Sequence, residues 1–208
     1  MDNNKNYPVE IERSLQSSKL YIFFGGISAG IAMPPFEFYN SSRILGENKI
    51  FVRDFSQCWY HDGLPGISTD IESTVEYLKA QIKCINPDDI FFVGNSMGGY
   101  AAMLFATLIG KGEVIAFAPQ TFISPSLRIK HRDSRWKGQV WSTYLRSLFK
   151  KKVWDIKNLL STVRYSPRIS IFVSRNARLD YIHAMHVENM QNIQIYEFED
   201  GGHGIVIL

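Results

Sequence analysis

The sequence predicts an α/β protein with a mostly parallel sheet of about six strands and helices on both of its faces. Three observations predict it: short apolar runs recur along the chain, turn residues bound them, and helical stretches separate them. A length of 208 residues fits one domain with a sizeable core, and a 45% hydrophobic, 13% aromatic composition belongs to a folded chain. The expected organisation is one domain over residues 1–208, interrupted by an insertion at 121–167.

The strands come in order. Leu20–Phe24 runs into Gly25-Gly26, and Ile50–Val52 ends at Arg53-Asp54. Ile90–Val93 stops at Gly94, and Val114–Ala118 stops at Pro119. Ile169–Val173 and Ile193–Phe198 complete the set. None alternates strictly, as suits strands covered on both faces. Helices fill the gaps. Over Asp70–Lys83, Ile71, Val75, Leu78 and Ile82 form a single face, with Ser68 or Thr69 as the expected cap. Gly98–Ile109 is rich in Ala, Leu and Met and reads as a helix buried on the sheet; Asp180–Met190 is a shorter one.

From Thr121 to Pro167 the rhythm breaks. No clear strand is present, and Trp136, Trp141, Tyr144, Phe149, Trp154 and Tyr165 are interleaved with basic residues. Between Gln120 and Arg168 twelve Lys or Arg meet only Asp133 and Asp155, a local charge of +10 in a chain whose net charge is +3. The segment reads as a partly helical cap over the carboxyl edge of the sheet. A pair of surface helices with snorkelling lysines is the equal alternative. Such asymmetry concerns partners, not fold.

The sharpest motif is Gly94-Asn95-Ser96-Met97-Gly98, a G-x-S-x-G between an apolar strand and a helix. A serine there sits on a tight turn, and the glycines let strand and helix approach without a Cβ clash. The helix amino end then directs free amides at the reacting centre, so the Met97 N–H is a candidate oxyanion donor. A phosphate-binding loop is the competing reading. It lacks both G-x-G-x-x-G and the lysine of a P-loop.

A serine nucleophile needs a base, and the base an orienting carboxylate. His203, in Asp200-Gly201-Gly202-His203-Gly204, follows the last strand on a glycine-flanked loop; His61, His131, His183 and His186 do not. Asp180 is the carboxylate after the preceding strand, with a helix N-cap as its bland role. Glu199 and Asp200 are alternatives too near His203 to reach its far nitrogen. The second oxyanion donor is expected on the loop Phe24-Gly25-Gly26-Ile27-Ser28, at the Ile27 N–H. Gly26, Trp59 and Tyr60 are candidate substrate contacts; for the loop Trp59–Gly66, plain packing is equally consistent.

Gly94-Asn95-Ser96-Met97-Gly98-Gly99 together with Asp180 and Gly202-His203 resembles the α/β-hydrolase superfamily. Gly25-Gly26-Ile27 is similar to that superfamily's His-Gly-x oxyanion loop, with Gly25 in the histidine's place. The resemblance extends from about Lys19 onward. It implies Ser96 as nucleophile, His203 as general base and Asp180 as its orienting acid, in acyl transfer to water without metal or organic cofactor. Two departures are expected: a short or missing amino-terminal hairpin, and no final helix, since the sequence stops at Leu208. An exposed sheet edge would then suit a homo-oligomer.

Esterase or deacylase action on a small-molecule or glycan-linked acyl ester is the default expectation, and the basic segment suits an anionic one. An acyl-CoA or acyl-carrier thioesterase is the alternative, Lys150-Lys151-Lys152 could meet an anionic membrane surface, and a non-catalytic polyanion-binding module is the reading from another class. No nucleic-acid partner is expected. The amino terminus lacks the pattern of a signal peptide, no run approaches the roughly 20 apolar residues of a membrane span, and two cysteines without metal spacing suit the cytoplasm.

Overall fold

The structure, a computed structural model, describes residues 7–27, 36–146 and 152–203. Its strands are β1 (Val9–Glu12), β2 (Lys19–Phe24), β3 (Asn48–Val52), β4 (Asp89–Asn95), β5 (Glu113–Phe117), β6 (Arg168–Ser174) and β7 (Ile193–Phe198). They form one sheet in the order β1-β3-β2-β4-β5-β6-β7. Every neighbouring pair is parallel except β1 on β3, which is antiparallel. The chain is thus α/β with a mostly parallel sheet. It has seven strands where about six were expected, because Val9–Glu12 alternates too briefly to stand out and pairs only through β3. The helices are α1 (Ile71–Ile85), α2 (Met97–Ile109), α3 (Pro125–His131), α4 (Lys137–Leu145), α5 (Ile156–Thr162) and α6 (Arg178–His186).

Topology decides which face each connection covers. The connections β3→β4, β4→β5, β5→β6 and β6→β7 all step the same way across the sheet, so right-handed crossovers put their helices on one face. Core residues of α1, α2, α4, α5 and α6 accordingly join a single cluster with Ile22, Phe24, Ile90 and Phe92. Only β2→β3 steps the other way. Its segment brings Phe36, Phe38 and Tyr39 onto the opposite face, against Phe23, Phe51 and Val93. Among the described residues, α1, α2, α4, α5 and α6 thus pack on the first face, and the β2→β3 segment on the second carries the short helical turn Ser41–Ile44. The second face is an aromatic ladder, with Tyr21–Phe91 and Phe172–Tyr196 ring centroids 4.9 and 4.8 Å apart. The expected missing final helix falls on residues 204–208, outside the described residues.

Local chemistry sets the helix ends. Asp70, not Ser68 or Thr69, caps α1: its carboxylate accepts the Ser73 N–H at 2.7 Å in a capping box. Ser68 turns inward instead, bonding Thr74 and the Leu64 N–H. No helix of the described residues is long and apolar enough to cross a membrane.

Candidate active site

The turn from β4 into α2 is tight enough to dictate its residues. A Cβ on Gly98 would lie 2.1 Å from Phe24 O, and one on Gly94 2.1 Å from Gly98 O. Only glycine fits at either place. Ser96, between them, is held at φ 54° and ψ −115°, a conformation that costs a non-glycine residue of order 1–3 kcal/mol. Its backbone is tied down: Ser96 N–H donates to Phe117 O at 2.9 Å, and Ser96 O accepts from Gln120 N–H at 3.1 Å. Its Oγ is buried and makes no hydrogen bond among the described residues. The strain thus presents an unengaged hydroxyl at the carboxyl end of the sheet, with the Met97 N–H at the first turn of α2 beside it.

His203 and Asp180 meet as well. His203 Nδ1 lies 2.7 Å from Asp180 Oδ2, which leaves Nε2 as the ring's remaining proton site. Asp180 is in the first turn of α6, whose N-cap is Ala177, so the expected capping role does not apply. Its carboxylate is 2% exposed as a residue, and burial alone would raise its pKa. The His203 bond and the Arg135 guanidinium outweigh burial and hold it below the ordinary carboxylate value.

The loop after β2 approaches Ser96 closely. A Cβ on Gly26 would fall 3.7 Å from Ser96 Cβ and 3.1 Å from Asn95 O. Gly25 N–H donates to Val52 O at 3.0 Å, and Gly26 N–H donates to Glu37 Oε2 at 2.6 Å. Ile27 is the next amide along; Ser28 lies outside the described residues. Glu37 also accepts Asn95 Nδ2 at 3.0 Å, so one half-buried carboxylate ties the glycine loop to the residue before Ser96. Burial raises the Glu37 pKa against the Gly26 and Asn95 bonds and against the nearby His203 charge. Sequence reasoning passed over Glu37. Its signal was a lone acid within Phe36-Glu37-Phe38-Tyr39, a place where an unpartnered carboxylate would be costly.

Trp59 and Tyr60 are placed differently from expectation. Both are fully buried. Trp59 Nε1–H donates to Gln120 Oε1 at 2.6 Å, and Tyr60 O–H donates to Gly25 O at 2.9 Å. They brace the Ser96 and Gly25 turns from beneath and present no ring to an open pocket. Asp54 organises this loop by accepting the N–H groups of Ser56, Cys58 and Tyr60 at 2.7–2.9 Å.

The basic segment is less free than its charge suggests. Arg146 and Lys152 both pair with Asp62, at 3.2 and 2.8 Å. Arg128 and Arg135 turn inward to Asp133, and Arg168 pairs with Glu113. The two acids of the segment each serve structure: Asp155 caps α5 and bonds His186, while Asp133 anchors Arg135 and His183. Phe149, Lys150 and Lys151 lie outside the described residues. Between α3 and α4 an open groove of about 550 Å³ is lined by Ile129, Val140, Trp141 and Tyr144, with Arg132 and Lys137 at its rim.

No protein-family model and no curated protein matches the sequence. Solved structures match its fold over nearly its whole length. An α/β hydrolase from the metagenome of Mar Chica lagoon sediments superposes with a TM-score of 0.58 at 11% identity, covering 99% of this chain and 89% of that one. The chain has the α/β-hydrolase fold. MenH from S. aureus shares this hydrolase fold with a TM-score of 0.61 and 13% identity, over 96% of this chain and 92% of that one. The capsule O-acetyltransferase of Neisseria meningitidis serogroup A superposes with a TM-score of 0.67 at 15% identity, over 97% of this chain and 86% of that one. A mutant of that transferase has been solved in complex with CoA.

Proposed function

We propose that this chain is a serine hydrolase that cleaves an acyl ester through a covalent acyl-enzyme. The observation that carries the reading is the 2.7 Å bond between His203 and Asp180, on the same sheet edge as a strained serine whose hydroxyl is unengaged. Ser96 Oγ attacks the ester carbonyl carbon while His203 Nε2 accepts its proton. The tetrahedral oxyanion takes hydrogen bonds from the Met97 and Ile27 amides. Collapse expels the alcohol, protonated by His203, and leaves Ser96 acylated. A water, deprotonated by the same nitrogen, attacks the acyl carbon; His203 returns that proton to the departing Ser96 Oγ, and the acid is released. Asp180 keeps the ring's proton on Nδ1 throughout. The chemistry requires no metal or organic cofactor.

In this reading residues 121–167 form the cap of a single domain, and the substrate is a small or glycan-linked ester with an anionic part. Cytoplasmic action goes with it, on the ground of cysteine usage. A second reading is supported by the likeness to the capsule O-acetyltransferase: the acyl group passes from a thioester such as acyl-CoA to a sugar hydroxyl in place of water. Both use the same acyl-enzyme, and they part at the donor and acceptor.

Ser96→Ala tests the shared step. Fluorophosphonate labelling and turnover of short acyl esters should both disappear; full activity in the variant would end the proposal, whereas no turnover by either protein, with salt-sensitive polyanion binding that survives the substitution, would leave the binding module in its place. Running acetyl-CoA and an acetyl ester in parallel, with and without an acidic glycan acceptor, separates transferase and thioesterase from esterase.

A further inference from the structure

Arg135, between α3 and α4, is wedged between two buried carboxylates. Its Nε lies 3.2 Å from Asp133 Oδ1 and its Nη2 3.0 Å from Asp133 Oδ2, while Nη1 donates to Asp180 Oδ1. Asp180 therefore gives one oxygen to Arg135 and the other to His203. Asp133 is itself held on the far side. His183, three residues after Asp180 on the same helix, places Nε2 3.1 Å from Asp133 Oδ2. The Thr121 N–H donates to His183 Nδ1 at 3.0 Å, so the proton of the neutral ring is on Nε2 and points at Asp133. Arg128 Nη1 lies 3.8 Å from the same carboxylate. A continuous polar chain thus runs from Thr121 through His183, Asp133, Arg135 and Asp180 to His203, and 45 residues of sequence separate Arg135 from Asp180.

We propose that Arg135 is a positioning residue that couples residues 121–167 to the base. It locks the Asp180 carboxylate in place through Oδ1 and draws part of its charge away from His203, while Asp133 offsets the guanidinium from behind. This rests on the assignment of His203 as base. The physical basis is competition for one carboxylate: a cation on Oδ1 weakens the hold of Oδ2 on an imidazolium. Asp180 is faced by His203 and Arg135, Arg135 by Asp133 and Asp180, and Asp133 by Arg128, Arg135 and His183. His203 is additionally faced by the charge of Glu37, which the variants below leave unaltered.

The signs follow from the order of charges. Arg135→Gln keeps a hydrogen-bond donor and removes the cation, so Asp180 holds an imidazolium more strongly. Asp133→Asn removes the offsetting anion, so Arg135 acts on Asp180 unopposed. The imidazole of His203 can be followed by NMR titration of histidine-labelled protein, assigned with His203→Ala. Its midpoint should move up by about half a pH unit in Arg135→Gln and down by a similar amount in Asp133→Asn. Arg135→Lys, which keeps the charge, should stay near the wild type. The acidic limb of the kcat/KM profile should move with the midpoint. Identical midpoints in all proteins, or movement of both variants in one direction, would overturn the proposal, because general loosening of the fold has no reason to give opposite signs. Should Arg135→Gln fail to fold, the downward movement in Asp133→Asn and the constancy of Arg135→Lys still decide it. The titration needs no turnover, so it stands apart from the Ser96→Ala result: loss of activity in Ser96→Ala with no opposed shifts refutes the coupling alone, and retained activity there refutes the catalytic reading alone.

Discussion

His183 is held neutral in the interior, and acid should act on it before it acts on most carboxylates. The ring is 1% exposed, lies with its centroid 4.0 Å from that of Phe122, and receives the Thr121 N–H on Nδ1, the nitrogen that protonation would need. Burial is the largest influence and lowers its pKa from 6.5 to about 4, against the opposing pull of Asp133. The folded-state value lies below the unfolded one. In that window the unfolded chain binds a proton that the native one does not, so stability falls as pH falls. The contribution is fully present above about pH 6.5 and is lost toward about pH 4. Linkage gives a loss of about 1 kcal/mol between about pH 7 and pH 5.5, and about 2 kcal/mol by about pH 4.5. His61, likewise buried and lowered to about 3, titrates in the same range, so the wild-type slope alone does not isolate His183. The variant His183→Gln does, since His61 is common to both proteins. Urea unfolding followed by circular dichroism across this range should show a wild-type free energy falling more steeply than the variant's, by the amounts above. Parallel profiles would refute the assignment of a buried neutral ring.

Two further outcomes follow from the site. Gly98→Ala, whose new methyl would meet Phe24 O at 2.1 Å, should lower stability by about 3 kcal/mol or more, whereas Gly138→Ala in α4, with nothing within 4 Å, should leave the melting temperature nearly unchanged or raise it; equal melting temperatures would contradict the close approach of α2 and β2. Glu37→Ala frees the Gly26 loop and should lower kcat on an acyl ester by on the order of tenfold to a hundredfold, while thermal melts show the fold retained. Unchanged kcat would mean that the Gly26 loop needs no tether.

The strands and the serine turn were legible in the sequence because both are local. Apolar runs such as Ile90–Val93 mark β4 to within two residues at either end, and Gly94 and Gly98, on either side of Ser96, sit where the β4–α2 turn leaves no room for a Cβ. Ser96, Asp180 and His203 each follow a strand that the sequence marks, β4, β6 and β7, so parallel topology alone places all three beyond the carboxyl ends of the strands. Trp59 and Tyr60 were misread because an aromatic loop beside a site looks the same in sequence whether its rings face a pocket or the core. Burial and the bonds to Gln120 and Gly25 decide that, and both arise from distant chain segments.

The sequence by itself determined the α/β class, the strained serine and the basic character of residues 121–167. What only the tertiary structure decided is how that segment spends its charge. Its eleven Lys and Arg suggest an open anion-binding site, yet Arg135, Arg146 and Lys152 are partly or fully consumed by Asp133, Asp180 and Asp62. A charge's partner is set by three-dimensional proximity in a low-dielectric interior, where the interaction is strong, and spacing along the chain carries almost no information about it. For the same reason Glu37 and Arg135, which bond Gly26 and Asp180, became visible only once the chain was folded.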